Sequence, residues 1–148
     1  MPQTTDDRAL EISRTIPATP EAVFDAWIDP AQLVRWWGPE GVTTPHCDLD
    51  PRAGGNWTTT MRTSNGEMVV SGVYTAVERP HRLAFSWAWT QEDGSRGHET
   101  VVEVTFEAVA EGTRMRLLQQ RFATTEHRDN HRMGWGSSFN DLEKLFAS

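Results

Sequence analysis

The sequence predicts an α+β domain in which a curved antiparallel β-sheet wraps around one long C-terminal helix. Three observations predict it. A short strand is followed at once by two short helices. Residues 42–122 then alternate apolar and polar side chains in runs separated by turn residues. The last segment changes to helical spacing, which leaves one long helix to close a meander of strands.

Each element has a local reason. Leu10, Ile12 and Ile16 alternate with Glu11, Ser13 and Thr15, the period of a half-buried strand, and Arg14 falls on the apolar side, at a rim or beside a carboxylate. Thr19 is a helix cap, Pro20 suits the first helical position and Glu21 favours the positive end of the dipole, with Val23, Phe24, Trp27 and Ile28 on one face. Asp29-Pro30 repeats the start signal for a second short helix carrying Leu33, Val34, Trp36 and Trp37, which Gly38-Pro39 stops. Six strands follow, with turns at Asp50-Pro51, Ser64-Asn65-Gly66, Arg79-Pro80, Glu92-Asp93-Gly94-Ser95 and Glu111-Gly112. Leu83, Phe85, Trp87 and Trp89 alternate with Ala84, Ser86 and Ala88, and Thr100, Val102, Val104 and Phe106 alternate with Val101, Glu103 and Thr105. Trp135, Phe139, Leu142 and Phe146 then recur at helical spacing; a helix over 125–147 spans roughly 35 Å, enough to cross a sheet.

The 148 residues fit one domain, read as a polar tail over 1–8 and a single domain over 9–148. The formal charge of −7, with 14 Lys and Arg scattered along the chain, argues against nucleic acid or an anionic membrane as partner. Cys47 is the only cysteine, so no intrachain disulfide forms, and neither a signal peptide nor a membrane-length apolar run is visible, which reads as a cytoplasmic protein. Tryptophan occurs 7 times and tyrosine once, a supply that lines either a core or a cavity.

The order of elements and their residues resemble the helix-grip fold of the START-like (SRPBCC) superfamily. Within it, the chain is similar to bacterial single-domain homologues of the activator of the heat-shock-protein-90 ATPase. The resemblance rests on Arg14, Ile16, Ala18, Glu21-Ala22-Val23-Phe24, Ala26-Trp27, Asp29-Pro30, Leu33 and Trp36-Trp37-Gly38-Pro39. Arg52-Ala53-Gly54-Gly55-Asn56-Trp57, Gly72, the run 80–87, Gly112-Thr113-Arg114-Met115 and Gly134-Trp135 continue it. It implies a helix-grip domain and one of three activities: binding of a lipid or polyketide, cyclase chemistry, or activation of a chaperone. No cyclase residue maps onto a position here.

The strand faces give the binding reading its residues. Trp87 and Trp89 point to one face of the sheet, which Trp57, Met61, Tyr74, Val102, Met115 and Leu117 join if that face is concave. Trp135, Phe139 and Leu142 on the last helix form the opposite wall, Gln119 supplies a directional hydrogen bond, and Trp36 rather than Trp37 turns toward the pocket. The alternative, that these side chains fill a core without a void, stays open. Gly134 and Gly136 inside the helical pattern either leave room for a ligand or permit close packing.

Other constellations carry less. His127 and His131 share a helix face, but no third ligand is evident and no zinc-peptidase glutamate lies between them; they read as solvated, with no metal. His46 and Cys47 point to opposite faces of a strand, so Cys47 reads as an inert thiol. No G-x-S-x-G elbow and no carboxylate pair at a cleft are visible. We therefore expect a binder of a small hydrophobic or aromatic molecule, without cofactor or catalytic residue, as monomer or homodimer. A module acting on a chaperone ATPase and a cyclase or hydrolase using the same cavity are the rivals.

Overall fold

The computed structural model describes residues 8–38 and 41–147. The elements are β1 (Leu10–Ile16), α1 (Pro20–Ile28), α2 (Pro30–Leu33), β2 (Thr43–Leu49), β3 (Asn56–Thr63), β4 (Gly66–Glu78), β5 (Arg82–Trp89), β6 (Thr100–Val109), β7 (Gly112–Gln120) and α3 (Thr125–Ala147). This is the expected α+β order. Residues 1–7 of the expected tail and Pro39 lie outside the described residues.

The seven strands form one antiparallel sheet in the order β1-β7-β6-β5-β4-β3-β2. Every connection from β2 to β7 is thus a hairpin, and only the closure of β1 against β7 is long-range. Both short helices start as their sequences dictate. The Thr19 hydroxyl accepts from the Ala22 N–H at 3.2 Å, and the Asp29 carboxylate accepts from the Ala31 N–H at 3.0 Å, each followed by a proline.

One face of the sheet supplies the core. The pairs Phe106–Met115, Val104–Leu117, Val102–Gln119, Phe85–Val102 and Leu83–Val104 stand opposite one another across the ladder, and all are buried. Phe24 and Trp27 of α1 pack onto this face, with ring centroids 5.2 Å from Phe106 and 6.3 Å from Phe85. The second half of α3 lies on the same face against β1. There Arg14 resolves the irregularity of its strand: its guanidinium pairs with Glu143 at 2.6 Å and donates to the Asn140 side-chain carbonyl at 2.8 Å.

Gly72 of β4 shows how closely the sheet is fitted. The Trp57 indole crosses over it to donate to the Ser86 carbonyl at 3.2 Å. A Cβ at residue 72 would stand 1.8 Å from that carbonyl oxygen and 2.7 Å from the indole nitrogen. Only glycine fits beneath the ring.

Candidate functional site

The first half of α3 does not close onto the sheet. Between it and β3 to β5 lies a cavity of about 400 Å³. Trp87 and Trp89 of β5, Met61 and Thr63 of β3, and Met68 of β4 form the sheet side. Trp37, Gly38 and Val42, between α2 and β2, close one end, and His127, Asn130, His131, Gly134, Trp135 and Ser138 of α3 form the roof. Met68, 47% exposed, stands at the solvent edge. The volume lies within the range of small-molecule sites.

The four indoles of this cavity present ring carbon rather than N–H. Trp37 donates to the Thr59 hydroxyl at 3.0 Å, and Trp135 donates to the Gln119 side-chain carbonyl at 2.8 Å. Trp87 and Trp89 both donate to Nε2 of His131, at 3.3 and 2.9 Å. Because an indole N–H only donates, that nitrogen must offer its lone pair. The other ring nitrogen, Nδ1, is 2.7 Å from the His127 carbonyl, which only accepts, so Nδ1 carries the proton. His131 is thus held neutral in one tautomer. Burial, the largest cause, pushes its pKa below the ordinary 6.5, and neighbouring His127 lowers it further, while the bond to the His127 carbonyl pulls the other way.

No Asp, Glu, Lys, Arg or Cys lines this cavity among the described residues. Thr63, Asn130 and Ser138 add uncharged polar groups. Ser138 is 3% exposed and lines the cavity, with no hydrogen bond from its hydroxyl to a described residue. Gly134 opens the roof: a Cβ built there meets nothing within 4 Å. A molecule in this space meets aromatic faces, two thioethers and a few neutral hydrogen-bonding groups. A charged guest would shed its hydration without gaining a counter-charge.

Of the residues expected from the sequence, Met61, Trp87, Trp89 and Trp135 line the cavity. Trp57 and Tyr74 instead border a gap of about 10 Å³ beyond Trp37, too small for more than a water molecule. Burial pushes the Tyr74 hydroxyl well above the usual phenol range. Val102, Met115, Leu117, Gln119, Phe139 and Leu142 are packed in the core, away from the cavity. Both ends of the Gln119 amide are engaged there, donating to the Thr100 hydroxyl at 2.8 Å and accepting from Trp135. Trp36, expected toward the pocket, is 1% exposed and turned inward, donating to the Ala26 carbonyl at 3.1 Å; Trp37 takes the cavity position.

Sequence reasoning missed the polar half of the roof. His131, read there as solvated, stands half-buried in the cavity wall. A signal existed: His127, His131, Gly134 and Ser138 are spaced by four, three and four residues, one helical stripe that continues into Leu142. The stripe begins polar and ends apolar, and its polar half is the roof. Cys47, half-buried on β2, has its thiol pushed up to about 11 by burial and, less, by Asp48, which keeps it protonated.

Comparison with known proteins places this fold among relatives. The family described as Activator of Hsp90 ATPase homolog 1-like protein matches residues 17–147. The crystal structure of the AHSA1 protein from Silicibacter pomeroyi is 34% identical, with a TM-score of 0.87 over 94% of this chain and 97% of that one. A protein from Rhodobacter sphaeroides is 26% identical, with a TM-score of 0.82 over 98% and 96% of the two chains. The AHSA1-like protein from Aeromonas hydrophila, at 24% identity and a TM-score of 0.74 over 92% and 90%, shares the fold. No curated protein matches the sequence.

Proposed function

This chain belongs to the Activator of Hsp90 ATPase homolog 1-like family, and on that premise we propose that it binds one small, uncharged, aromatic or hydrophobic molecule between β3 to β5 and the first half of α3. The single observation that carries this reading is the cavity of about 400 Å³ whose four indoles spend their N–H groups on the protein. Recognition then rests on shape and dispersion against ring faces, with Ser138 as one directional contact.

Binding is favoured over catalysis by the same lining. General acid–base work would fall to His127 or His131, and His131 already uses both ring nitrogens in hydrogen bonds within the protein. For a ligand of about 12 heavy atoms at roughly 0.5 kcal/mol per atom, the expected Kd is on the order of tens of micromolar.

The test is titration with the neutral probe N-phenyl-1-naphthylamine while tryptophan emission is followed. Saturable one-to-one quenching, abolished in Gly134→Leu, is the expected result. Absence of saturation with this probe and with a panel of naphthols, lipids and polyketides would overturn the reading.

A further inference from the structure

A second concavity of about 380 Å³ lies on the far side of His131, between the start of β6 and the link from β7 to α3. It shares Trp87, Trp89, His127 and His131 with the first cavity. Its own wall is more polar, with Gln91, His98 and Thr100 beside Phe122. The shared residues lie where the two cavities meet, and one imidazole nitrogen ties three of them together: Nε2 of His131 receives both indole N–H groups.

We propose that His131 is a specificity-determining residue: its bond to Trp87 and Trp89 keeps two cavities apart, limiting the ligand to what the first one holds, and protonation of Nε2 opens them into one channel for a longer molecule. This rests on the first cavity being a ligand site. The device is chemical. A proton on Nε2 would place an N–H against two N–H donors, so the imidazolium can keep neither bond. The Nδ1 bond to the His127 carbonyl survives protonation, so the ring stays tied to α3 and the indoles are released.

The surroundings do not replace the lost acceptor. The groups facing His131 are His127 on its own helix, Trp87 and Trp89 from β5, and Phe122 from the β7–α3 link, whose ring centroid is 4.9 Å away. His98 lies on the far wall of the second cavity, with Nε2 2.5 Å from the Arg121 carbonyl. No Asp, Glu, Lys or Arg lines either cavity among the described residues, so no carboxylate is placed to stabilise the imidazolium. The neutral, closed form is the resting one near neutral pH, and opening begins as pH falls below about 6.5.

The experiment uses 4-alkylphenols of increasing chain length, neutral throughout the range, with Kd read from tryptophan quenching. In the native protein near pH 7.5, affinity should rise with chain length and then stop rising once the first cavity is full. In His131→Ala the rise should continue, by roughly fourfold for each further methylene buried. The native protein should acquire the same extended profile as pH falls toward about 4.5, and His131→Gln, whose amide does not titrate, should show no such acid response. Parallel length profiles in native protein and His131→Ala, or a native profile indifferent to acid, would overturn the partition. If no phenol binds at all, the ligand reading is decided by the naphthylamine probe and its panel, and the partition is judged by NMR. The Trp87 and Trp89 indole N–H signals should then shift together on acidification, with a midpoint below 6.5, and stay still in His131→Gln. Signals that ignore pH in the native protein would remove the device.

Discussion

The two halves of α3 lie over the same face of one sheet and meet it differently. The second half closes onto it: Phe139 and Leu142 are fully buried, Phe139 stacks 5.6 Å from Trp135 and 6.2 Å from Trp36, and the Arg14–Glu143 pair fastens the helix to β1. The first half stands off it, carrying His127, Asn130, His131, Gly134 and Ser138 above Trp87, Trp89 and Met61. Tryptophan is abundant under both halves, so aromatic content did not decide which end is solid. What decided it is the partner stripe. Phenylalanine and leucine reach into the sheet and exclude a void, whereas glycine and serine do not, and His131 meets the sheet only at the edge of the space, through the Trp87 and Trp89 indoles.

That contrast can be broken by mutation. Phe139→Ala at the closed end should cost about 3–5 kcal/mol, and Trp89→Ala at the open end about 1–2 kcal/mol, since a ring facing empty space forfeits fewer contacts. Urea denaturation of both variants checks this, and equal losses would show that the open end is as firmly packed as the closed one. Gly72→Ala should cost roughly 1–3 kcal/mol in the same measurement, because strands β4 and β5 must part to admit a Cβ 1.8 Å from the Ser86 carbonyl.

Gly134 sharpens the comparison in the opposite sense. Gly134→Ala should stabilise the fold by about 0.5–1 kcal/mol, because a methyl group enters open space and the helix gains propensity. A thermal melt that moves downward would mean that the glycine serves a bend in α3. The smallest effect is the dependence of stability on pH. His131 has a lowered pKa in the fold, so near pH 6.5 the folded chain binds fewer protons than the unfolded one. Its contribution is complete above about pH 6.5 and is lost as pH falls through the folded value. Native protein should therefore lose more stability than His131→Gln between about pH 7 and 5, as read by urea midpoints.

Much of this was legible in the chain itself. The alternations at 83–89 and 100–106, the Thr19-Pro20 and Asp29-Pro30 starts and the helical period after residue 125 fixed the strands, helices and their order. Those signals are local, set by the two periods of the backbone and by caps that act within one turn. They also named Met61, Trp87 and Trp89 on the sheet side of the cavity and Trp135 on the helix opposite. Which of those side chains meet protein and which meet space depends on residues far away in the chain. Gln119 looked available to a ligand until Thr100 and Trp135 took both ends of its amide, and Trp36 looked turned toward the pocket until the Ala26 carbonyl held it in the core. His131 looked solvated until two indoles from β5 closed on it. Periodicity assigns a side chain to a face of its element. Only the packing of one element on another decides whether that face is filled, because a void is a property of what fails to reach it from the opposite side.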